Sequence, residues 1–158
     1  MTHNDKAFQD HYEEAAAVCY GCGPLNLQGL QIKSYWEGEE AVCRFQPEHF
    51  HTSFPGYVYG GLIASLIDCH STGTAMAAAY RAEGRLVGSE PALRFVTGSL
   101  HVDYLKPTPI DELLTVRATV KAIEGRVITI NTQLFAGERP TARGEVVCVQ
   151  VPLDWGKK

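Results

Sequence analysis

The chain has 158 residues, of which 45% are hydrophobic and 20% charged, so we expect one globular domain over residues 1–158. Its formal net charge of −4 argues against a nucleic-acid-binding protein. Residues 1–6 are polar and unlike a leader, and the apolar stretch 61–80 is interrupted by polar side chains, so we expect no membrane span and a cytoplasmic location. Five cysteines, an odd number, argue against a disulfide framework.

The first half of the chain predicts an N-terminal element, residues 1–29, then a β-hairpin and a long helix. Turn residues and hydrophobic periodicity set the expected boundaries. In chain order these elements are a short helix from Phe8 to Val18, a loop over Gly21–Gly29, the paired strands Leu30–Trp36 and Ala41–Phe45, and a helix from about Gly60 to Tyr80 that Gly84 ends.

The second half is β in character, because it is rich in Val, Ile, Leu and Thr. The predicted strands are Leu93–Leu105, Leu113–Ile123, Val127–Phe135 and Thr141–Val151. Short connections imply an antiparallel sheet, so the sequence predicts an α+β fold with one long helix packed on a sheet of about six strands.

The long helix carries two different faces at a period of 3.6 residues. The bulky face, expected to lie on the sheet, consists of Leu62, Leu66, Cys69, Met76 and Tyr80. A second face holds small and polar residues: Gly61, Ala64, Ser65, Asp68, Ser71, Thr72 and Ala75. Apolar helices rarely carry an acid unless the acid is paired or used. Asp68 therefore has two interpretations, a structural hydrogen bond at a dimer interface or a catalytic carboxylate.

A double glycine, Gly60 and Gly61, opens this helix, where unpaired N–H groups and the positive end of the helix dipole lie. Such donors can stabilise an oxyanion, and a carboxylate can direct water, which together favour acyl transfer or hydrolysis. Gly60 and Asp68 are eight positions apart, about 12 Å along the axis. One carbonyl cannot reach both on a single helix, so the spacing predicts a dimer with shared sites and antiparallel helices.

At these residues the chain resembles the hotdog-fold acyl-CoA thioesterases of the phenylacetic-acid-degradation, or PaaI-like, branch. The signature Gly-x-x-His-Gly-Gly with an acid seven positions beyond the last glycine is matched by Gly56, Tyr59, Gly60, Gly61 and Asp68. The stretch Leu100–Pro107 is similar to the family's strand ending in Tyr-x-Lys/Arg-Pro. Cys19-Tyr20-Gly21-Cys22-Gly23, followed by Asn26 and Gly29-Leu30, is similar to an N-terminal element of one subset.

The resemblance implies a curved antiparallel sheet wrapped around the helix, a dimer or dimer of dimers, and hydrolysis of an acyl-CoA to free acid and CoA. No cofactor is implied, since coenzyme A enters as part of the substrate. The backbone N–H of Gly60, with Gly61, would polarise the thioester carbonyl. Asp68 of the facing subunit would activate water or attack directly, with Thr72 and Thr97 supplying hydroxyls near the acid.

Two positions depart from the family pattern. Tyr59 stands where the family has the histidine of His-Gly-Gly, and Ser53 stands where members often carry Asn or Gln. Tyr59 can still donate a hydrogen bond, although its reach and pKa differ from those of imidazole. Two rival functions therefore stay open, a non-catalytic acyl-CoA-binding protein and a hotdog enoyl-CoA hydratase. The hydratase would need a histidine near the acid, and neither His70 nor His101 has the expected spacing.

The residues that could contact a substrate each have two interpretations. Phe54 and Tyr57, just before the helix, either line an acyl or aromatic tunnel or pack in the core, and Ser65 faces the same side as Asp68. The candidate cations for the CoA phosphates, which are equally consistent with plain surface, are Arg81, Arg85, Arg94, Lys106 and Arg143.

Cys19-x-x-Cys22 is open to a metal, a redox or a packing role. A structural zinc needs about four ligands, and the chain has no second cysteine pair, so we expect no metal and assign the pair to loop packing. Cys69 is predicted to be core. Along the later strand, alternation places His101 and Asp103 on one face with Thr97 and Ser99, as a pocket lining, a solvated face or an interface.

Overall fold

The computed structural model, which describes residues 6–157, confirms the predicted α+β hotdog fold: six antiparallel strands form one sheet around a single long helix. The elements are a 3₁₀-helix at Phe8–His11, β1 at Ser34–Glu37, β2 at Glu40–Phe45, α1 at Gly60–Ala82, β3 at Arg94–Tyr104, β4 at Leu114–Glu124, β5 at Val127–Ala136 and β6 at Arg139–Val151. The predicted strand and helix positions hold to within a few residues, apart from the N-terminal helix.

The strand order across the sheet is β1-β2-β4-β5-β6-β3. Each neighbouring pair is antiparallel, and the hairpins β1–β2, β4–β5 and β5–β6 account for three of the five pairings. β3 and the four-residue β1 lie at the two edges. β3 has eleven residues and pairs only with β6 among the described strands, so a long row of backbone donors and acceptors is left at this edge.

The sheet curves around α1 and buries it on most sides. The predicted bulky face is buried as expected. Burial extends further than predicted, however, to Ile63, Ile67, His70, Ser71, Thr74, Ala75, Ala77 and Ala78. The helix packs closely on Gly144 of β6, where a Cβ atom would lie 2.6 Å from Ile67 Cγ2 of α1 and 2.8 Å from Thr132 Oγ1 of β5. Only glycine leaves room for the helix there.

The helix ends in a Schellman motif. Gly84 has φ of +67° and donates its N–H to Arg81, while Arg85 donates to the carbonyl of Tyr80. These bonds satisfy carbonyls that the end of the helix leaves unpaired, and the glycine predicted as a stop is the residue with left-handed backbone. Within residues 6–157 no helix is long and apolar enough to cross a membrane.

The predicted N-terminal helix from Phe8 to Val18 is wrong, because only Phe8–His11 is helical and residues 14–18 form turns. Extended backbone at Tyr12 ends the short helix. Tertiary contacts explain the difference: the Gln9 amide bonds both the backbone N–H and the hydroxyl of Ser34, and Phe8 packs on Trp36 at 5.2 Å between ring centroids. Helical propensity yields to these buried contacts.

The prediction that Thr97 shares a strand face with Ser99, His101 and Asp103 is wrong, because β3 contains a β-bulge. Thr97 pairs with Cys148 of β6 and Ser99 pairs with Val147, so Gly98 is the extra residue. An extra residue reverses the alternation beyond it. Thr97 therefore points toward α1, whereas His101 and Asp103 lie on the outer face, where their side chains contact each other at 3.1 Å.

Candidate active site

Asp68 lies two turns inside α1, and two threonine hydroxyls meet it. The Thr97 hydroxyl, from β3, donates a hydrogen bond to Asp68 Oδ1 at 2.6 Å. The Thr72 hydroxyl lies 3.0 Å from that of Thr97 and donates to the Asp68 carbonyl oxygen at 3.0 Å. The structure thus brings together, from two elements, the acid and the two hydroxyls that the family resemblance implied.

The environment of Asp68 makes its carboxylate a good proton acceptor. Burial raises the pKa of the Asp68 carboxyl above its ordinary value, the hydrogen bond from Thr97 opposes this shift, and the charge of Cys19 adds to it. A carboxylate with a raised pKa is a better base than a solvated one, because its affinity for a proton is higher. Asp68 is only half-buried, so it remains accessible from the adjoining cavity.

A cavity of about 510 Å³ opens beside Asp68, Thr72 and Thr97. Its volume is in the range typical of small-molecule sites. Apart from the polar group around Asp68, much of the lining is apolar and includes Val18, Met76, Tyr80, Leu93 and Phe95. An apolar cavity that ends at a carboxylate can hold an acyl chain with its carbonyl near the acid.

The N-terminal element covers this cavity, which the sequence analysis did not anticipate. Residues 11–13, 15–16, 18–19 and 22 contribute to the lining, together with Trp155 near the other end of the chain. His11 is among them, so a histidine does line the Asp68 cavity. The only signal in the sequence was the similarity of the Cys19–Gly23 stretch to a family element, which carries no information about where the loop folds.

The N-terminus of α1 presents its double glycine without a side-chain cap. Tyr59 precedes the helix with extended backbone and makes no capping hydrogen bond. Its ring instead lies across Gly61, where a Cβ atom would overlap the phenol. Tyr104, at the end of β3, donates its hydroxyl to the Gly60 carbonyl at 2.7 Å. The first N–H groups of the helix therefore stay available to an external acceptor.

A second groove, of about 530 Å³, lies at this helix end. Its lining includes five residues selected from the sequence, together with Tyr104: Ser53, Phe54, Tyr57, Gly60 and Lys106. The Phe54 ring is 79% exposed, so the alternative of core packing is wrong for this residue. Ser65 lines neither of the two cavities: its hydroxyl donates to the Gly61 carbonyl at 2.8 Å.

Gly60 and Asp68 thus belong to different cavities of one chain, as their separation on the helix predicted. That they combine in a site shared by two subunits stays a prediction.

Four of the five candidate cations have partners within the chain. Arg85 pairs with Glu83, Arg94 with Glu13, Arg143 with Asp103, and Arg81 with Glu39 while also stacking on Trp36. Lys106 makes no ion pair among the described residues and lies in the groove with Gly60.

The two histidines considered for a hydratase do not reach the acid. His70 is completely buried and bonded to Ser34 and to the Ala41 carbonyl. His101 is exposed on the outer face of the sheet. Neither lines the Asp68 cavity.

Comparison with known proteins identifies the family. Residues 55–149, which include the double glycine, Asp68, Thr72 and Thr97, match the thioesterase superfamily. The chain belongs to that superfamily, as its resemblance at the glycine-rich turn predicted.

Solved structures agree in fold. A thioesterase-superfamily protein of Shewanella loihica is 42% identical, with 91% of this chain and 99% of that one covered and a TM-score of 0.69. The E. coli PaaI protein from the phenylacetic acid degradation operon, at 15% identity and a TM-score of 0.63 over 78% of this chain and 81% of that one, shares the fold.

Curated relatives are named acyl-coenzyme A thioesterase THEM4. The Xenopus laevis protein is 32% identical over 71% of this chain and 45% of its own length, and the Rattus norvegicus protein is 29% identical over 72% and 43%. The chain spans less than half the length of these relatives.

Proposed function

We propose that this protein is an acyl-CoA thioesterase that works as a dimer, in which Asp68 of one subunit and Gly60 of the other act on the same thioester. The observation that carries the proposal is the attachment of these two groups to opposite ends of one edge strand. Thr97, near the start of β3, bonds Asp68, and Tyr104, at its end, bonds Gly60.

The two-fold arrangement follows from this attachment. Two copies of β3 that pair antiparallel along their free edges, with Thr97 opposite Tyr104 of the partner subunit, would bring each Asp68 toward the other subunit's Gly60. Residues directly opposite each other in an antiparallel pair point to the same face. Thr97 and Tyr104 fulfil this condition, since the bulge at Gly98 turns both of them toward α1.

The helix N-terminus is the proposed oxyanion site. The N–H groups of Gly60 and Gly61, with the positive end of the helix dipole behind them, would polarise the thioester carbonyl. The absence of a side-chain cap at Tyr59 leaves these donors to the substrate. The Tyr59 phenol beside Gly61 can donate a further hydrogen bond where the family pattern has imidazole.

Asp68 is the proposed general base. It accepts a proton from water as the water oxygen attacks the carbonyl carbon, the C–S bond then breaks, and the proton passes to the departing CoA sulfur. Thr97 orients the carboxylate through its 2.6 Å hydrogen bond, and Thr72, which contacts Thr97, supports that hydroxyl. The apolar cavity behind Asp68 is the proposed acyl site.

The groove at the helix N-terminus is the proposed path of the CoA moiety. Phe54 and Tyr57 offer exposed aromatic surface there, and Ser53 offers a hydroxyl. Of the five candidate cations, Lys106 is the one with no ion pair among the described residues. A lysine ammonium binds phosphate as a point charge. The names of the rat and frog relatives support acyl-CoA as substrate.

The experiment is a thiol-release assay over acyl-CoAs of different chain length and ring content, with variants of both halves of the site. Asp68→Asn removes the base and is expected to lower kcat at least about 10²-fold. Gly60→Pro removes one N–H at the first helical position, where proline is tolerated, and the extended backbone of Tyr59 suits a following proline. Gly60→Ala is the matched control, since it keeps the N–H and its Cβ would lie 3.4 Å from the Tyr104 ring.

Co-expression of the two inactive variants tests the shared site. Mixed dimers of Asp68→Asn and Gly60→Pro subunits contain one intact site, so equal expression should restore about a quarter of wild-type activity. Folded variants that show no complementation would contradict the shared site, and full activity of Asp68→Asn would contradict the base.

The two rival functions have distinct signatures. Thermal stabilisation by CoA thioesters without release of free thiol would indicate a non-catalytic binder. Hydration of crotonyl-CoA, measured as the loss of enoyl absorbance, would indicate a hydratase. Either result in place of thiol release would overturn the proposal.

A further inference from the structure

Three cysteine thiols from two distant parts of the sequence meet at one point. The sulfurs of Cys19 and Cys22, in the N-terminal element, and of Cys69, on α1, all lie within 4.8 Å of one another. Sulfurs bound to one tetrahedral zinc at about 2.3 Å would be about 3.8 Å apart, so the cluster needs little movement to close on an ion. Cys43 and Cys148 are not members of the cluster.

The backbone of the cysteine loop is built closely around these sulfurs. The N–H of Gly23 bonds the Cys19 carbonyl at 2.8 Å. A Cβ atom at Gly21 would overlap Cys69 Sγ, so the loop approaches the helix as closely as glycine allows.

The loop is also held in place from its other side. The N–H groups of Leu30 and Ile32 bond the carbonyls of Tyr20 and Gly21 at 2.9 and 3.1 Å. Three thiols are therefore presented by an anchored loop and a buried helix, a preformed arrangement that loses little conformational freedom on binding an ion.

We propose that Cys19, Cys22 and Cys69 bind a zinc ion. The spacing of the cysteines along the sequence offered only one pair, and the fold supplies the third thiolate from α1. Thiolate ligands select soft or borderline cations, and zinc in an S₃ site takes a fourth ligand from its surroundings. All three cysteines line the cavity that contains Asp68, so the fourth ligand, a water molecule, would come from that cavity.

Such an ion would join the N-terminal element to α1 at the residue next to Asp68. The element covers the proposed acyl cavity. Zinc would thereby hold this element against the helix.

The test is zinc content measured by elemental mass spectrometry on protein produced with added zinc and purified with a phosphine reductant. The wild-type chain is expected to retain about one zinc per molecule. Cobalt in its place should give a thiolate-to-metal charge-transfer band and intense tetrahedral visible bands. A strong chelator should lower the Tm, because an ion that binds only the folded state stabilises it.

Single-cysteine variants assign the ligands. Cys19→Ser is the decisive variant, because its side chain is exposed and its replacement leaves the core intact. It should lose zinc, the cobalt bands and the chelator-induced fall in Tm while remaining folded. Cys69→Ala is the second variant, and Cys43→Ala, which alters a buried cysteine outside the cluster, should keep all three signals.

Two results would overturn the proposal. One is a wild-type protein that retains no zinc under these conditions, including one in which two of the three thiols have instead formed a disulfide. The other is equal zinc content in the wild type, Cys19→Ser and Cys69→Ala. Thiol release from acyl-CoA is measured separately, so failure of the zinc site is distinguishable from failure of the proposed hydrolysis.

Discussion

Acidification below neutral pH is expected to destabilise the fold through His70. This side chain is completely buried on α1. Its Nε2 lies 3.1 Å from the Ala41 carbonyl and must donate to it, so in the neutral ring Nδ1 accepts from the Ser34 hydroxyl at 2.8 Å. Ser34 in turn accepts from the Gln9 amide at 3.0 Å. The network is satisfied only when His70 is neutral, because a proton on Nδ1 would face a hydroxyl that already donates there.

Burial lowers the pKa of His70 from 6.5 to about 4. Between these values the unfolded chain binds a proton that the folded chain excludes, so stability falls as the pH falls below 6.5. Each unit of pKa difference between the folded and the unfolded chain corresponds to about 1.4 kcal/mol. The free energy of unfolding should therefore fall by roughly 2 kcal/mol by pH 5 and by about 3 kcal/mol near pH 4. Above neutral pH this contribution is fully present.

The assay is urea denaturation of the wild type and His70→Gln at several pH values from 8 to 5. Glutamine can donate to Ala41 and accept from Ser34 but does not titrate, and contributions of other groups cancel in the difference between the two proteins. The difference in unfolding free energy should change by roughly 2 kcal/mol over this range. His101→Gln, at an exposed histidine, is the control and should follow the wild type. Parallel curves for the wild type and His70→Gln would refute the assignment of a neutral, bonded imidazole.

Two further predictions concern the helix–sheet contact and the acid. Gly144→Ala should lower the free energy of unfolding by about 1–3 kcal/mol in a denaturant titration, because its methyl would overlap Ile67; an unchanged midpoint would show that α1 can move away. Thr97→Val should lower kcat for thiol release by about tenfold or more, since it deletes the hydroxyl that bonds Asp68, and Thr97→Ser should restore most of it. Equal rates in the valine and serine variants would exclude a role for that hydroxyl.

Local patterns in the sequence were sufficient to locate the long helix and the strands, although not the N-terminal helix. Period-3.6 hydrophobicity, the double glycine and Gly84 located α1, because these signals act within a few residues of one another. Alternating β-branched residues located the four C-terminal strands. The eight-residue separation of Gly60 and Asp68 excluded their joint action within one chain, since it depends only on the rise of a helix.

Tertiary structure decided which residues from different elements meet. The bulge at Gly98 reversed the face of Thr97 and delivered its hydroxyl to Asp68, a change that no alternation pattern reports because the extra residue is defined by pairing with β6. The short N-terminal helix and the covering loop likewise depend on Gln9 reaching Ser34. Cys69 joined Cys19 and Cys22 for the same reason. Contacts over long sequence separations form when the whole sheet closes around α1, so they are properties of the packed chain and not of any segment.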